Sequence, residues 1–303
     1  MSDHGQFAGI IPAVVTPLDE REQFAPDPFE ELLSRLYAAG VHGIYVGGST
    51  GEGLLLPVET RELLAEAAVR LSPPDKQVIV HVGAHRTADA LRLARHAASI
   101  GARAISSLPP AGGLPFDDVH SYYRELASAV DLPLFLYYFP AFAPAVSTLE
   151  QVSALARIPG VAGVKFTDYN LYRLGMLCQS GLRVFNGHDE VLAPGLWMGA
   201  IGGIGSLYNL APELALQIFD CACRGDWNAA RVPQMRLNSL IEIVLRFPWL
   251  QALKQILEWS GIHCGPCAGP RRARLSIDEQ QRLRAALTTA GLDEMVFKRW
   301  ELA

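Results

Sequence analysis

Short apolar runs alternate with amphipathic stretches from the N-terminus to about residue 223. The apolar runs, rich in Val and Ile, occupy 9–15, 43–46, 77–81, 102–106, 134–138, 162–166, 183–185 and 201–205. Continuous apolar character over so few residues predicts parallel strands buried on both faces. Between and after them lie stretches that predict helices at 28–39, 58–71, 88–100, 116–129, 149–158, 169–179, 190–198 and 212–223. Local signals mark several ends: Asp27 ahead of Pro28, Thr148 ahead of Leu149, and Gly40 and Gly101 after a helix.

Eight strand units, each followed by a helix, predict an alternating parallel α/β architecture. A doubly wound sheet and a closed (β/α)8 TIM barrel both satisfy that alternation. The count of eight favours the barrel, which takes roughly 200–250 residues. No Gly-x-Gly-x-x-Gly follows the first strand to argue for a dinucleotide site. The barrel is expected over 1–224. Beyond Gly225 the alternation stops, and 227–259 and 276–290 read as helices. The expectation for 225–303 is a C-terminal helical extension packed on the barrel, not an independent domain.

Composition narrows the function. Half of the residues are hydrophobic and 19% are charged, enough for a sizeable core and too apolar for disorder. The net charge is 26 − 31 = −5, with no basic cluster on any one element, so nucleic-acid binding has little support. No apolar run approaches the ~20 residues that span a bilayer. Residues 1–7 are short and polar, without a signal-peptide core. The expectation is a cytoplasmic protein whose five cysteines are reduced. Cys264-Gly265-Pro266-Cys267 has the spacing of a thioredoxin-type redox site, but it follows a long helical stretch instead of opening a helix. With no second Cys or His pair at finger spacing, zinc is not expected either, and the string reads as a loop with two thiols.

Barrel enzymes draw their sites from the C-terminal ends of the strands, and the unusual residues fall there. Gly47-Gly48-Ser49-Thr50-Gly51-Glu52-Gly53 follows the second strand, where small residues and two hydroxyls let an anion such as a carboxylate approach. A loop of this kind is also common for structural reasons alone. The fifth strand ends in Tyr137-Tyr138-Phe139-Pro140, and one of the two tyrosines is expected to serve packing. The sixth carries Lys165 inside an apolar run. Only four of the 26 basic residues are lysines (Lys76, Lys165, Lys254, Lys298), and only Lys165 falls in a predicted strand. Arginine cannot lose its proton in a protein, whereas a desolvated lysine can, and then acts as an amine nucleophile. Strands seven and eight end in Asn186-Gly187-His188-Asp189-Glu190 and Gly202-Gly203-Ile204-Gly205-Ser206. Asp189 and Glu190 read equally as acids at a helix N-terminus.

Gly48-Ser49-Thr50-Gly51-Glu52, Tyr137-x-x-Pro140 and Gly163-Val164-Lys165, in this order, resemble the dihydrodipicolinate synthase/N-acetylneuraminate lyase family over nearly the whole chain. Lys165-Phe166-Thr167 and the two strand-end strings are most similar to the N-acetylneuraminate lyase branch. The resemblance implies a class I, pyruvate-dependent aldolase. Lys165 would form a Schiff base with the ketone of a 2-oxo acid, so that the C3–C4 bond breaks or forms through an enamine. Tyr137 would shuttle the proton, and Ser49 and Thr50 would hold the pyruvate carboxylate. Thr167, Gly187, Asp189, Glu190, Gly205 and Ser206 would contact the hydroxylated part of a sugar acid.

The resemblance also implies no metal, no organic cofactor and a homotetramer; pyruvate and an aldehyde are the small-molecule partners. Two features usual in the synthases are absent. No arginine follows Tyr-x-x-Pro in Pro140-Ala141-Phe142-Ala143-Pro144, and Leu108-Pro109-Pro110-Ala111-Gly112-Gly113 holds no tyrosine. The expectation is an N-acetylneuraminate lyase-like enzyme. The alternatives are an aldolase or dehydratase of 2-keto-3-deoxy sugar acids, a dihydrodipicolinate synthase-like enzyme and, last, a non-catalytic binding barrel.

Overall fold

The computed structural model describes residues 7–270 and 273–297. The strands are β1 (Gly9–Pro12), β2 (Gly43–Val46), β3 (Gln77–His81), β4 (Ala104–Ser107), β5 (Leu134–Tyr138), β6 (Val161–Phe166), β7 (Val184–Asn186) and β8 (Gly202–Gly205). All neighbours pair in parallel, β1 with β8 and then down to β2. The remaining gap closes between β1 and β2: His42 N donates to Ile10 O at 3.0 Å and Val14 N to Tyr45 O at 3.0 Å. The sheet is therefore a (β/α)8 barrel, as the alternation predicted.

The outer ring is α1 (Pro26–Ala38), α2 (Val58–Leu71), α3 (Thr87–Ser99), α4 (Phe116–Ser128), α5 (Leu149–Ala156), α6 (Leu171–Gln179), α7 (Leu192–Trp197) and α8 (Pro212–Cys223). Helix α5 starts where its capping signal sits: Thr148 Oγ1 accepts from Gln151 N, and Gln151 Oε1 accepts from Thr148 N. Gly40 and Gly101 end their helices with φ of 97° and 83°. Asp27 is not a cap. Helix α1 begins at Pro26, because a proline near the first position suits a helix start, and Ala25 precedes it without a side-chain bond. Residues 189–191 form a separate 3-10 turn ahead of α7, so that predicted helix is shorter than expected.

Beyond the barrel come α9 (Trp227–Leu245), α10 (Trp249–Trp259), α11 (Ile277–Thr289) and α12 (Asp293–Val296). The predicted helix over 227–259 is broken, since Pro248 cannot continue the hydrogen-bond ladder. Among the described residues no helix is long and apolar enough to cross a membrane.

Alternation along the strands divides two cores. Ile11, Tyr45, Ile79, Ala104, Phe135, Phe185 and Ile204 point into the barrel, and Phe7 meets Phe135 edge-on at 5.1 Å. The larger core lies between the sheet and its helices. One irregularity matters for the site. Leu134 pairs with Val161 but Phe135 with Gly163, leaving Ala162 as an extra residue in β6. The shift pairs Tyr137 with Lys165; without it Tyr138 would stand opposite the lysine.

Candidate active site

Tyr137 and Lys165 are inward residues on adjacent parallel strands. Lys165 is 4% exposed, and its Nζ lies 4.0 Å from the centre of the Tyr137 ring and 4.2 Å from that of Tyr45. Lys254 is equally buried but is paired with Glu52 at 2.8 Å. Among the described residues no carboxylate pairs with Lys165 in this way. Two aromatic faces hold its amine instead, leaving the nitrogen unblocked. Lys76 pairs with Asp75 away from the site, and Lys298 lies outside the described residues.

Tyr138 is the packing tyrosine. It stacks on Phe166 at 5.0 Å in the outer core, and its hydroxyl binds Arg173 and Asp168. Tyr137 instead sits beneath the loop after β2, its hydroxyl 3.5 Å from Ser49 Oγ. Thr50 Oγ1 lies 2.7 Å from Ser206 Oγ, so the loops after β2 and β8 meet above the lysine.

The loop after β2 is held from below by His81. Its Nδ1 donates to Gly47 O at 3.1 Å, and its Nε2 accepts from Leu108 N at 3.2 Å. The second bond needs the neutral ring, because a protonated Nε2 cannot accept. Burial, with Arg61 and Lys165 nearby, drives its pKa well below the ordinary histidine value. The same loop is held from the side by the tail. Glu52, in a left-handed conformation at φ 56°, bonds Ala268 N at 2.7 Å and pairs with Lys254, which donates to Pro266 O.

Asp189 is buried; its Oδ2 accepts from Leu207 N at 2.8 Å, and the Tyr208 hydroxyl lies beside the same carboxylate. Burial is the main cause that raises its pKa from 3.8 to about 7. Gly205 is required beside it, because a Cβ there would lie 1.7 Å from Asp189 Oδ1. Glu190 accepts from Tyr169 OH at 2.9 Å and lies 3.7 Å from His188 Nδ1. The turn carrying both acids is pinned by α9: Gln234 Nε2 donates to Asp189 O at 3.0 Å, and Asn238 Nδ2 to Glu190 O at 3.1 Å. These acids thus sit in a tethered turn, not as caps of a regular helix.

One cavity of about 510 Å³ gathers Ser49, Thr50, Tyr137, Lys165, Thr167, Gly187, Asp189, Glu190 and Ser206. Gly205 supports it from behind Asp189. Thr167 Oγ1 has no hydrogen-bond partner among the described residues. Sequence reasoning missed Tyr45 and His81, whose inward alternation on β2 and β3 was the available signal. It also missed the lining residues Phe139, Phe142, Tyr169, Ile241, Leu245 and Trp249, which come from loops and the tail and carry no local signal. Cys264 and Cys267 are buried, and burial pushes the Cys264 thiol up to about 12, unlike an attacking thiolate.

Residues 6–290 match the dihydrodipicolinate synthetase family. The N-acetylneuraminate lyase of Rhizobium meliloti is 34% identical over 275 residues, covering 87% of this chain and 89% of the relative. Among solved structures, the sialic acid aldolase of Ruminococcus gnavus superposes with a TM-score of 0.89 at 28% identity, over 94% of this chain and 97% of that one. A Clostridium difficile protein, CdNal, solved in complex with mannosamine, gives 0.89 at 26% identity over 94% and 99%. The chain belongs to the dihydrodipicolinate synthetase family and is a class I, pyruvate-dependent carbon–carbon lyase.

Proposed function

We propose that this enzyme cleaves, or forms, a 2-oxo sugar acid of the N-acetylneuraminate kind, with Lys165 as nucleophile and Tyr137 as proton shuttle. The carrying observation is the unpaired Lys165 amine, held between two tyrosine rings at the floor of the cavity. Its nitrogen adds to the C2 ketone and water leaves, giving an iminium. Tyr137 takes the proton of the C4 hydroxyl, the C3–C4 electron pair flows into the iminium, and an aldehyde departs. The enamine is then protonated at C3, and hydrolysis returns pyruvate and the free lysine. The iminium is the electron sink, so the scheme needs neither metal nor organic cofactor.

Ser49 and Thr50 bind the carboxylate and orient the ketone. Thr167, Gly187, Asp189, Glu190 and Ser206 face the substrate's hydroxyls, with Gly205 leaving room for Asp189. Thr167 Oγ1, without a hydrogen-bond partner among the described residues, supports that assignment.

The reading includes a homotetramer in the cytoplasm. Exposed Trp197, Trp227 and Met235 along a surface groove support self-association, and five cysteines fit a reducing compartment. Light scattering on the purified protein checks the assembly, and a monomer removes that part. Borohydride reduction in the presence of pyruvate is expected to add a stable adduct at Lys165, and none in Lys165→Ala. An unlabelled wild-type protein would sink the mechanism.

A further inference from the structure

Schiff-base formation creates a positive charge on a nitrogen that no carboxylate pairs with among the described residues. The Lys165 amine adds to the ketone, one of its protons passes to the oxygen, and Tyr137 supplies a second. The C2–O bond then breaks and water leaves, so nitrogen and C2 share a double bond and one positive charge. A buried cation without compensation is costly, yet C3–C4 cleavage needs that charge in place as its electron sink. Lys254 shows one way to hold a buried cation, the Glu52 carboxylate at 2.8 Å. At Lys165 such a pair would hold the lysine as ammonium, which cannot attack a ketone.

Lys165 has a different neighbour. Its Nζ lies 4.2 Å from the centre of the Tyr45 ring, inside the ~6 Å over which a ring face attracts a cation. Tyr45 is fully buried and held in place from several directions. Its hydroxyl donates to Ser106 Oγ at 3.1 Å, and its ring meets Tyr137 edge-on at 6.1 Å and 85°. It packs so closely on Gly48 that a Cβ there would lie 2.5 Å from Tyr45 Cε1. Burial pushes the hydroxyl well above the ordinary tyrosine range, so the ring stays a neutral phenol. Tyr137 also turns its face to Nζ, at 4.0 Å, but its hydroxyl loses and regains protons during turnover. The Tyr45 face is the constant one. The other titratable groups that act on the charge at Lys165 are His81 on β3 and His188 and Asp189 after β7.

We propose that Tyr45 is a further catalytic residue, whose ring face takes the positive charge of the Schiff base where a carboxylate counterion would otherwise stand. The proposal rests on the aldolase reading above and adds what keeps the iminium protonated inside the barrel.

The test follows the iminium proton. Borohydride reduces the protonated Schiff base far faster than the neutral imine. At saturating pyruvate, the alkaline limb of the trapping rate therefore marks the loss of that proton. Position 45 is replaced by phenylalanine and by phenylalanines carrying one, two and three ring fluorines, which drain charge from the ring face with little change in size. All four lack the hydroxyl, so loss of the Ser106 bond is common to the series. The expected result is a limb that moves to lower pH with each fluorine, at an unchanged Tm. Over the series the shift amounts to about thirtyfold in proton affinity, or about 1.5 pH units. A limb that stays in place or moves to higher pH overturns the role of Tyr45, as does a shift matched by a falling Tm. Trapping of the wild-type enzyme separates the two levels. A wild-type adduct with an unmoved limb in the series removes only Tyr45, whereas no wild-type adduct removes the aldolase reading beneath it.

Discussion

Replacing Lys254 by methionine isolates a buried ion pair that ties the tail to the loop after β2. The Lys254 and Glu52 side chains are 3% and 0% exposed, and Nζ lies 2.8 Å from Glu52 Oε1. At an effective dielectric constant of 20, that separation gives an attraction of about 6 kcal/mol. Desolvation of both ions offsets much of it, so the intact pair contributes far less than that figure. Methionine has nearly the same length but no charge. It leaves the Glu52 carboxylate buried with the Ala268 N–H as its remaining strong donor among the described residues, and removes the donor to Pro266 O. Breaking a buried pair this way costs roughly 3–5 kcal/mol, a large share of the ~5–15 kcal/mol that typically holds a domain together. Guanidinium unfolding is expected to show that loss as a lower midpoint with an unchanged slope. The double variant Glu52→Gln/Lys254→Met recovers most of it, because the stranded charge is gone. Function should follow: Glu52 lies two residues after Thr50, so KM for pyruvate rises more than kcat falls. A Lys254→Met loss below about 1 kcal/mol, or a double variant no better than the single, refutes the reasoning.

Other outcomes follow from the site. Tyr137→Phe removes the hydroxyl near Ser49 and is expected to lower kcat by roughly 10²–10⁴, while borohydride still traps pyruvate at Lys165; steady-state rates and mass spectrometry check this. Asp189 has a folded-state pKa raised to about 7, so the folded protein keeps a proton that the unfolded chain releases near its ordinary 3.8. Stability from this group is therefore full below about 4 and is lost as pH rises through 7, by at most about 4 kcal/mol. Unfolding at pH 5 and pH 8 should show wild type losing more than Asp189→Asn over that interval; equal losses would contradict the shift. Gly205→Ala places a Cβ 1.7 Å from Asp189 Oδ1 and is expected to cost roughly 1–3 kcal/mol. Its kcat/KM should fall more for the aldehyde than for pyruvate, as measured by varying each in condensation.

Much of this protein is legible in its sequence because the relevant signals are local. Apolar runs of three to seven residues between amphipathic stretches are enough to predict eight parallel strands, and 43–46, 77–81 and 134–138 match the observed bounds. The rarity of lysine singles out Lys165, and small residues with hydroxyls mark the Ser49–Thr50 loop. These depend on residue type and spacing, which any reader of the chain can see.

Tertiary structure decided the rest, since the remaining features depend on register and on partners distant in sequence. A single extra residue in β6 places Tyr137, not Tyr138, beside Lys165. Lys254 looks like Lys165 in composition, yet a carboxylate some 200 residues away neutralises it while two aromatic rings flank the other. The aldehyde half of the pocket draws on Ile241, Leu245 and Trp249, where the tail folds over the barrel mouth. Apolar positions of a helix look alike in sequence whether they face a core or a substrate, and only the packing of the tail against the barrel separates the two.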